Sequence, residues 1–487
     1  MDYALVASLL GRLAMGLAVT MVLPLVVACL HDVGQVENYV IAELVTCFLA
    51  GGLWLYGRGV HRHRLRLREA IAVTVLGWLV VCILGALPYC LSGILSPLAA
   101  LFESVSGFTT TGVTTLAYYG ELPLSLMLWR CMTHWCGGLG IIMLFVVLMP
   151  QVSNGTGYLF NAELPDALGK RSTAMIKKAA FLITAIYTGL TVLELLLLMG
   201  LGMEGWAALN LALSTMSTGG FPFNKDSLIT YNSWAIELVV LVFMLLASLN
   251  FSLYYKIYKG DWASLRNNRE HIYYVRFLAI IGLLLSADLF WRSDYSFLEA
   301  VRHGFFQTVS IGSTTGLATT NFSAWSSFSL YLLFILMFIG GCGGSTAGGM
   351  KVSRFVILLK ATWAELLRIL HPRIVYAVKL GKQPVAPALV GHITRFFFLY
   401  FLVILILTIL LALDGTRAMY DYMGMILACV SSAGPAYAIV GGTAGFAEVS
   451  AYGRCICIIA MLLGRLEIFA VLAILRPSFW QDKEKSW

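Results

Sequence analysis

Four short segments of this 487-residue chain are variants of one pattern: Thr110-Thr111-Gly112-Val113, Thr218-Gly219-Gly220-Phe221, Thr314-Thr315-Gly316-Leu317 and Ser432-Ala433-Gly434-Pro435. Small hydroxyl, alanine and glycine residues leave the backbone of each segment bare. A ring of bare carbonyl oxygens can replace the hydration shell of an alkali cation. A dedicated divalent site would want carboxylates, and the four segments have none. The candidate ion-binding residues are therefore Thr110, Thr111, Gly112, Val113, Thr218, Gly219, Gly220, Thr314, Thr315, Gly316, Leu317, Ser432, Ala433 and Gly434. Any one segment could be an ordinary Gly-rich turn between packed helices. Four with the same flanks argue for a pore with four-fold pseudosymmetry.

The flanks are what must position these turns. Each turn follows an apolar stretch too short to span a bilayer, near 97–107, 205–216, 296–309 and 418–430. Such stretches read as re-entrant half-helices, since bare backbone at membrane depth survives only when buried in protein or lining water. Their C-terminal ends, aimed at the bilayer centre, carry partial negative charge that favours a cation. Ten longer stretches, near 3–30, 38–56, 70–91, 124–149, 179–200, 234–255, 277–291, 328–349, 388–412 and 451–475, approach the ~20 apolar residues needed to span. The unit helix, half-helix, turn, helix recurs four times, and the glycines at 112, 219, 316 and 434 lie 107, 97 and 118 residues apart. That is a domain-scale repeat. The expected fold is an all-α polytopic membrane protein, with two N-terminal helices and four helix–pore-helix–filter–helix repeats around a central pore. The expected divisions are 1–69 (helix pair and basic loop), 70–150, 151–260, 261–387 (with a Gly-rich loop and a cytoplasmic segment) and 388–487.

Composition agrees. Hydrophobic residues make up 59% of the chain and charged residues 12%, with a mean hydropathy of +0.84. Soluble domains carry about twice that charge. The net charge of +8 does not point to nucleic acid, because 24 of the 33 Lys and Arg fall in five clusters between or after spanning stretches. These are Arg58, Arg62, Arg64, Arg66 and Arg68; Lys170, Arg171, Lys177 and Lys178; Lys256, Lys259, Arg266, Arg269 and Arg276; Lys351, Arg354, Lys360, Arg368, Arg373, Lys379 and Lys382; and Arg476, Lys483 and Lys485. Alternating spans put every cluster on one side, which the positive-inside rule makes cytoplasmic, with both termini. Contact with anionic lipid is a secondary role for them. Val26-Val27-Ala28-Cys29 resembles a weak lipoprotein box, but Met1–Ser8 has no positive charge and Arg12 interrupts the apolar run, so a retained helix is expected. The ten cysteines, nearly all in apolar stretches, show no zinc spacing or disulfide framework.

Ser104-Val-Ser-Gly-Phe-Thr-Thr-Thr-Gly-Val-Thr-Thr-Leu116 resembles the first filter of the Trk/Ktr/HKT superfamily of potassium transporters. Arg130-Cys-Met-Thr-His-Trp-Cys-Gly-Gly-Leu-Gly-Ile-Ile142 is similar to the helix that follows it in that family. Gly340-Gly-Cys-Gly-Gly-Ser-Thr-Ala-Gly-Gly-Met-Lys351 resembles the family's intramembrane loop, and Met461-Leu-Leu-Gly-Arg-Leu-Glu-Ile-Phe469 its last helix. The resemblance runs over nearly the whole chain. The helix pair at 3–56 and His371-Pro-Arg-Ile-Val-Tyr376 point to the TrkH branch rather than KtrB. The resemblance implies potassium uptake across the bacterial inner membrane, a homodimer with one pore per chain, and a cytoplasmic TrkA-type nucleotide-binding ring as regulator. Relatives with Ser at the first filter's glycine position tend to admit sodium, so Gly112 implies potassium preference. Ser431-Ser432-Ala433-Gly434-Pro435 departs from the usual Asn-rich fourth filter while keeping Gly and Pro.

Six glycines within residues 340–349 make a straight helix there costly, at ~1 kcal/mol per Gly relative to Ala. A break below the filter is expected. Close packing through small residues is one reading; a gate built from Gly340, Gly341, Gly343, Gly344, Ser345, Thr346, Gly348, Gly349 and Arg465 is the other, and the resemblance implies it. Arg465 lies mid-helix, where a charge is functional or paired. It either faces the pore and the Gly-rich loop or forms a salt bridge with Glu467 or Glu194. Glu103 is expected to anchor the first filter, His134 to be a packing residue, and Arg302 and His303 are ambiguous. A secondary transporter of another small solute also uses broken helices, but usually in two inverted repeats. No HExxH, GxSxG or DxD arrangement supports an intramembrane enzyme, and no cofactor beyond transported potassium is expected. Proton symport and gated passive flow are both compatible with these residues.

Overall fold

The computed structural model describes residues 1–59, 66–116, 122–152, 173–221, 228–263, 269–374, 376–381, 383–415, 417–434 and 446–481. Pro435 and, from the basic clusters, Arg62, Arg64, Lys170, Arg171, Arg266, Lys382, Lys483 and Lys485 lie outside them.

Two long apolar runs fold into α1 (Tyr3–His31) and α2 (Val36–Tyr56). They lie antiparallel, with Gly11 against the backbone of Ala50 and Trp54, and Gly57 against Ala4 and Ser8. Asp2 caps α1 by accepting from the Leu5 N–H at 3.1 Å.

The rest is one unit repeated four times. The first repeat holds α3 (Leu67–Gly85), its short continuation α4 (Leu87–Leu91), the half-helix α5 (Pro97–Phe108) and α6 (Leu124–Val152). The second holds α7 (Thr173–Gly200), half-helix α8 (Gly205–Met216), α9 (Trp234–Ser248) and α10 (Phe251–Tyr258). In the third come α11 (Arg269–Arg292), half-helix α12 (Phe297–Gly312), α13 (Ser327–Ile339) and α14 (Val352–Leu370). A two-residue antiparallel pair, β1 (Lys379–Leu380) and β2 (Gln383–Pro384), leads into the fourth. That repeat holds α15 (Pro387–Ala412), half-helix α16 (Met419–Ser431), α17 (Ala451–Arg465) and α18 (Ile468–Ile474), closed by α19 (Pro477–Trp480).

The first and third half-helices start where a side chain satisfies one of their first N–H groups. Ser96 accepts from the Ala99 N–H and Ser296 from the Glu299 N–H, while the Ser296 N–H donates to the Glu299 carboxylate at 3.0 Å. They are buried at the centre of the bundle: every residue from Phe102 to Phe108 and from Phe306 to Gly312 is buried.

Several expected spans have other shapes. The span expected at 277–291 begins at Arg269, because Arg269, Glu270, His271 and Arg276 in its first turns hide it from a hydropathy reading. The stretch 328–349 is helical only to Ile339. The stretches 234–255 and 451–475 are each two helices, bent by 91° between Ser248 and Phe251 and by 112° between Arg465 and Ile468. By length and composition, six helices among the described residues can cross a membrane, or eight when each bent pair counts once. The 29-residue α6 and the 13-residue α13 occupy the remaining two expected positions.

Candidate cation filter and the loop beneath it

Each half-helix ends in the same backbone device. The Thr111 N–H donates to the Ser106 carbonyl at 2.9 Å, Gly219 to Ser214 at 3.0 Å, Thr315 to Ser310 at 2.9 Å and Ala433 to Ala428 at 3.1 Å. Inside three of these lies a second bond, from Thr110 to Gly107, Thr218 to Thr215 and Thr314 to Ile311. The paired bonds are a Schellman motif, which turns the chain through one left-handed residue, usually glycine. Here that residue is Thr110 (φ 52°), Thr218 (φ 53°), Thr314 (φ 60°) and Ser432 (φ 51°). A left-handed conformation costs an L-residue ~1–2 kcal/mol, and strain of this kind collects at functional sites. Two residues on, a glycine takes positive φ in every segment: Gly112 (81°), Gly220 (71°), Gly316 (81°) and Gly434 (69°). The equivalent glycine of the second segment is therefore Gly220. The spacing read through Gly219 is off by one residue in that repeat.

The four turns meet in a ring. A Cβ on Gly112 would land on the Gly219 carbonyl oxygen, and one on Gly220 on the Thr315 carbonyl oxygen. A Cβ on Gly434 would come within 3.0 Å of the Thr315 carbonyl oxygen and 3.4 Å of that of Thr111. First touches second, second touches third, third touches fourth and fourth touches first. Hydroxyls lock the outer ends: Ser106 Oγ donates to the Val113 carbonyl at 2.5 Å, Ser214 to Phe221 at 3.1 Å and Ser310 to Leu317 at 2.6 Å. The fourth repeat has Ala428 at that register. These serines are legible in the sequence, each four residues before the first hydroxyl residue of its turn.

Helices close on the turns from behind. Gly137 of α6 and Gly464 of α17 are equivalent, letting their helices rest on the carbonyls of Phe108 and Val430, each two residues before a left-handed hydroxyl residue. Glu103 anchors the first segment as expected, accepting from the Thr115 N–H and the Thr114 hydroxyl, both at 2.6 Å. His134 is a packing residue: its ring stacks on Phe221 with centroids 3.9 Å apart. Arg302 forks onto the Glu237 carboxylate at 2.7 and 2.6 Å, tying α12 to α9, and His303 shares a hydrogen bond with Thr319 at 2.9 Å. Both read as fastenings of the third half-helix.

Below the ring, residues 340–351 leave the helix. Gly340, Gly344 and Gly349 take φ of 66°, 69° and 77°, and Lys351 takes 78°. The neck of this loop is zipped: the Met350 N–H donates to Phe338 at 3.0 Å and Lys351 to Ile339 at 2.9 Å. Its tip reaches three repeats. The Gly348 N–H donates to Thr314 Oγ1 at 2.8 Å, the Thr346 hydroxyl to the Ala247 carbonyl at 3.0 Å, and Arg465 Nη1 to the Thr346 carbonyl at 2.9 Å. Gly343 N–H donates to Glu270 at 2.7 Å. Gly341 and Ser345 are within the same loop, Ser345 Oγ donating to Cys342 at 2.6 Å. The Cys342 N–H uses the Ser248 carbonyl, and the Gly344 carbonyl takes the Phe251 N–H, both at 3.1 Å. The bend in the second repeat thus supplies the groups the loop needs.

Arg465 is 5% exposed, and among the described residues no carboxylate pairs with it. Glu467, one of its two expected partners, instead binds Arg354 at 2.7 Å. Arg465 touches the Gly-rich loop. No group of His, Cys, Asp and Glu able to hold a metal occurs among the described residues. The oxygens at the four turns are backbone carbonyls and the buried hydroxyls of Thr110, Thr111, Thr218, Thr314, Thr315 and Ser432.

The family model "TrkH: Cation transport protein" matches residues 37–291 and 280–484. The chain is 34% identical over 489 residues to the Trk system potassium uptake protein TrkH of Halomonas elongata, covering 99% of this chain and 100% of that one. It is 31% identical over 487 residues to the protein of the same name from Escherichia coli K12, with the same coverage of both chains. The crystal structure of the potassium transporter TrkH from Vibrio parahaemolyticus superposes with a TM-score of 0.91 at 31% identity, over 99% of this chain and 100% of that one. This chain belongs to the TrkH family of cation transport proteins.

Proposed function

We propose that this protein takes up potassium across the bacterial inner membrane, with both termini cytoplasmic. The four segments strip the ion of water and hold it by backbone carbonyls. One observation carries the reading: a left-handed hydroxyl residue followed two positions later by a positive-φ glycine, four times, in one closed ring. The names of the relatives, potassium uptake proteins, support the choice of ion. Gly112 supports selectivity over sodium, since a side chain there would displace a neighbouring segment's carbonyl.

The loop from Gly340 to Gly349 acts as the gate beneath the ring. Its hydrogen bond to Thr314, a filter residue, links the two. Arg465 holds the loop by the Thr346 carbonyl and puts a positive charge below the ring, which raises the barrier until the loop moves. As in the resemblance, two chains associate, each with its own pore, and a cytoplasmic nucleotide-binding subunit of the TrkA type drives the loop.

The test is rubidium uptake by a bacterium lacking its own potassium uptake systems, expressing this chain with and without such a subunit. The reading predicts growth at low potassium and rubidium uptake that potassium blocks and equal sodium does not. Equal competition by sodium, or no uptake by well-inserted protein with the subunit present, would overturn it.

A further inference from the structure

The first repeat carries a buried ion pair at a register where the others carry none. Glu103 stands seven residues before the left-handed Thr110; Leu211, Gln307 and Met425 stand at the same register in the other half-helices. Glu103 is fully buried and fastens the strand of the first segment through Thr114 and Thr115. Its other oxygen lies 3.4 Å from Arg130 Nε. Arg130, 1% exposed, sets its guanidinium carbon 4.0 Å from the centre of the Phe221 ring. Phe221 directly follows Gly220 in the second segment, and the Ser214 hydroxyl holds its carbonyl. One turn along α6, His134 stacks on the same ring and occupies the space where a Cβ on Gly219 would go. A continuous chain of contacts runs from the first segment, through the ion pair, to the second.

We propose that the chain Glu103–Arg130–Phe221 is a brace that fixes the separation of the first and second filter segments, making Arg130 and Phe221 positioning residues for ion selectivity. The inference rests on the potassium reading above. A carbonyl ring discriminates by the number and spacing of its dipoles, so two segments free to move together would close around a smaller ion. Arginine suits the brace because its planar guanidinium can pair with a carboxylate and stack on a ring at once, which lysine cannot. Packing alone does not explain the pair, since apolar replacements of buried ion pairs are commonly neutral or stabilising.

The test uses the purified full-length chain in liposomes, reading rubidium uptake against competing potassium and sodium, with folded fraction followed by size exclusion and thermal melting. Phe221→Leu removes the ring face and should lower potassium-over-sodium discrimination about tenfold, the scale of a desolvated cation–ring contact. Phe221→Tyr keeps the ring and should restore it. Arg130→Lys keeps the charge beside Glu103 but loses the stacked plane, and should also lower discrimination. The double variant Arg130→Lys/Phe221→Leu should be no worse than the worse single, because both break one contact. Folded Phe221→Leu or Arg130→Lys with wild-type discrimination, or singles whose losses multiply, would overturn the brace. If Phe221→Leu fails to fold, Arg130→Lys alone decides. Wild-type protein that does not discriminate would overturn the potassium reading and the brace with it; a discriminating wild type with unaffected variants overturns the brace alone.

Discussion

Gly112→Ser is the sharpest perturbation of the ring. Gly112 sits at φ +81°, where an L-residue is strained by ~1–2 kcal/mol. Its new Cβ would also overlap the Gly219 carbonyl oxygen, so that oxygen must rotate or the first two segments must part. Neither neighbour is the free end of a flexible side chain. If the strain falls on the ring, at 1.4 kcal/mol per factor of ten, potassium-over-sodium discrimination should fall roughly tenfold or more. Gly202→Ala is the matched control: Gly202 has φ +89° but nothing within 4 Å of a Cβ, so it carries the backbone strain without touching the ring. The assay is rubidium uptake into liposomes with graded sodium or potassium competition, at equal folded protein. Wild-type discrimination in folded Gly112→Ser, or an equal loss in Gly202→Ala, would refute the reasoning.

Three further outcomes follow from the loop and its surroundings. Deleting Gly343–Gly348 removes the bonds to Glu270, Thr314 and Arg465 but leaves the neck zipped at Phe338 and Ile339, so the chain should still close; single-channel recording should show raised open probability and weaker dependence on a regulatory subunit. Arg465→Gln should remove the positive charge and strand no carboxylate, so conductance should rise with little loss of folded protein, checked by recording and thermal melting. Glu103→Leu should cost about 3–5 kcal/mol by leaving Arg130 buried without its carboxylate, seen as a lower melting temperature and yield.

Much of the architecture was readable from apolar length alone. Stretches too short to span marked all four half-helices within a few residues, because in a bilayer few other fates suit such segments. The bends in the second and fourth repeats were not readable. Ser248-Leu249-Asn250 and Arg465-Leu466-Glu467 contain neither Gly nor Pro, and Glu467 takes φ +62°. The first bend exists because the carbonyls of Ala247 and Ser248 serve the glycine loop, while the Phe251 N–H uses the Gly344 carbonyl. Backbone groups freed in one repeat satisfy those freed in another, a tertiary bargain with no local signature. Gly219 and Gly220 are indistinguishable by type; only the dihedral angles show which one belongs to the pattern. Phe221 closes the second segment, and nothing in the sequence places it against Arg130, whose guanidinium carbon lies 4.0 Å from the centre of its ring.

The central claim is that a dehydrated monovalent cation sits between the four segments, and anomalous diffraction from crystals of this protein grown with rubidium or thallium tests it most directly. The account predicts anomalous density inside the ring of the four segments, beside the carbonyls of Thr111, Gly219 and Thr315, weakened when potassium is restored and unchanged by added sodium. A ring without such density, with the heavy cation instead on carboxylates elsewhere, would contradict it.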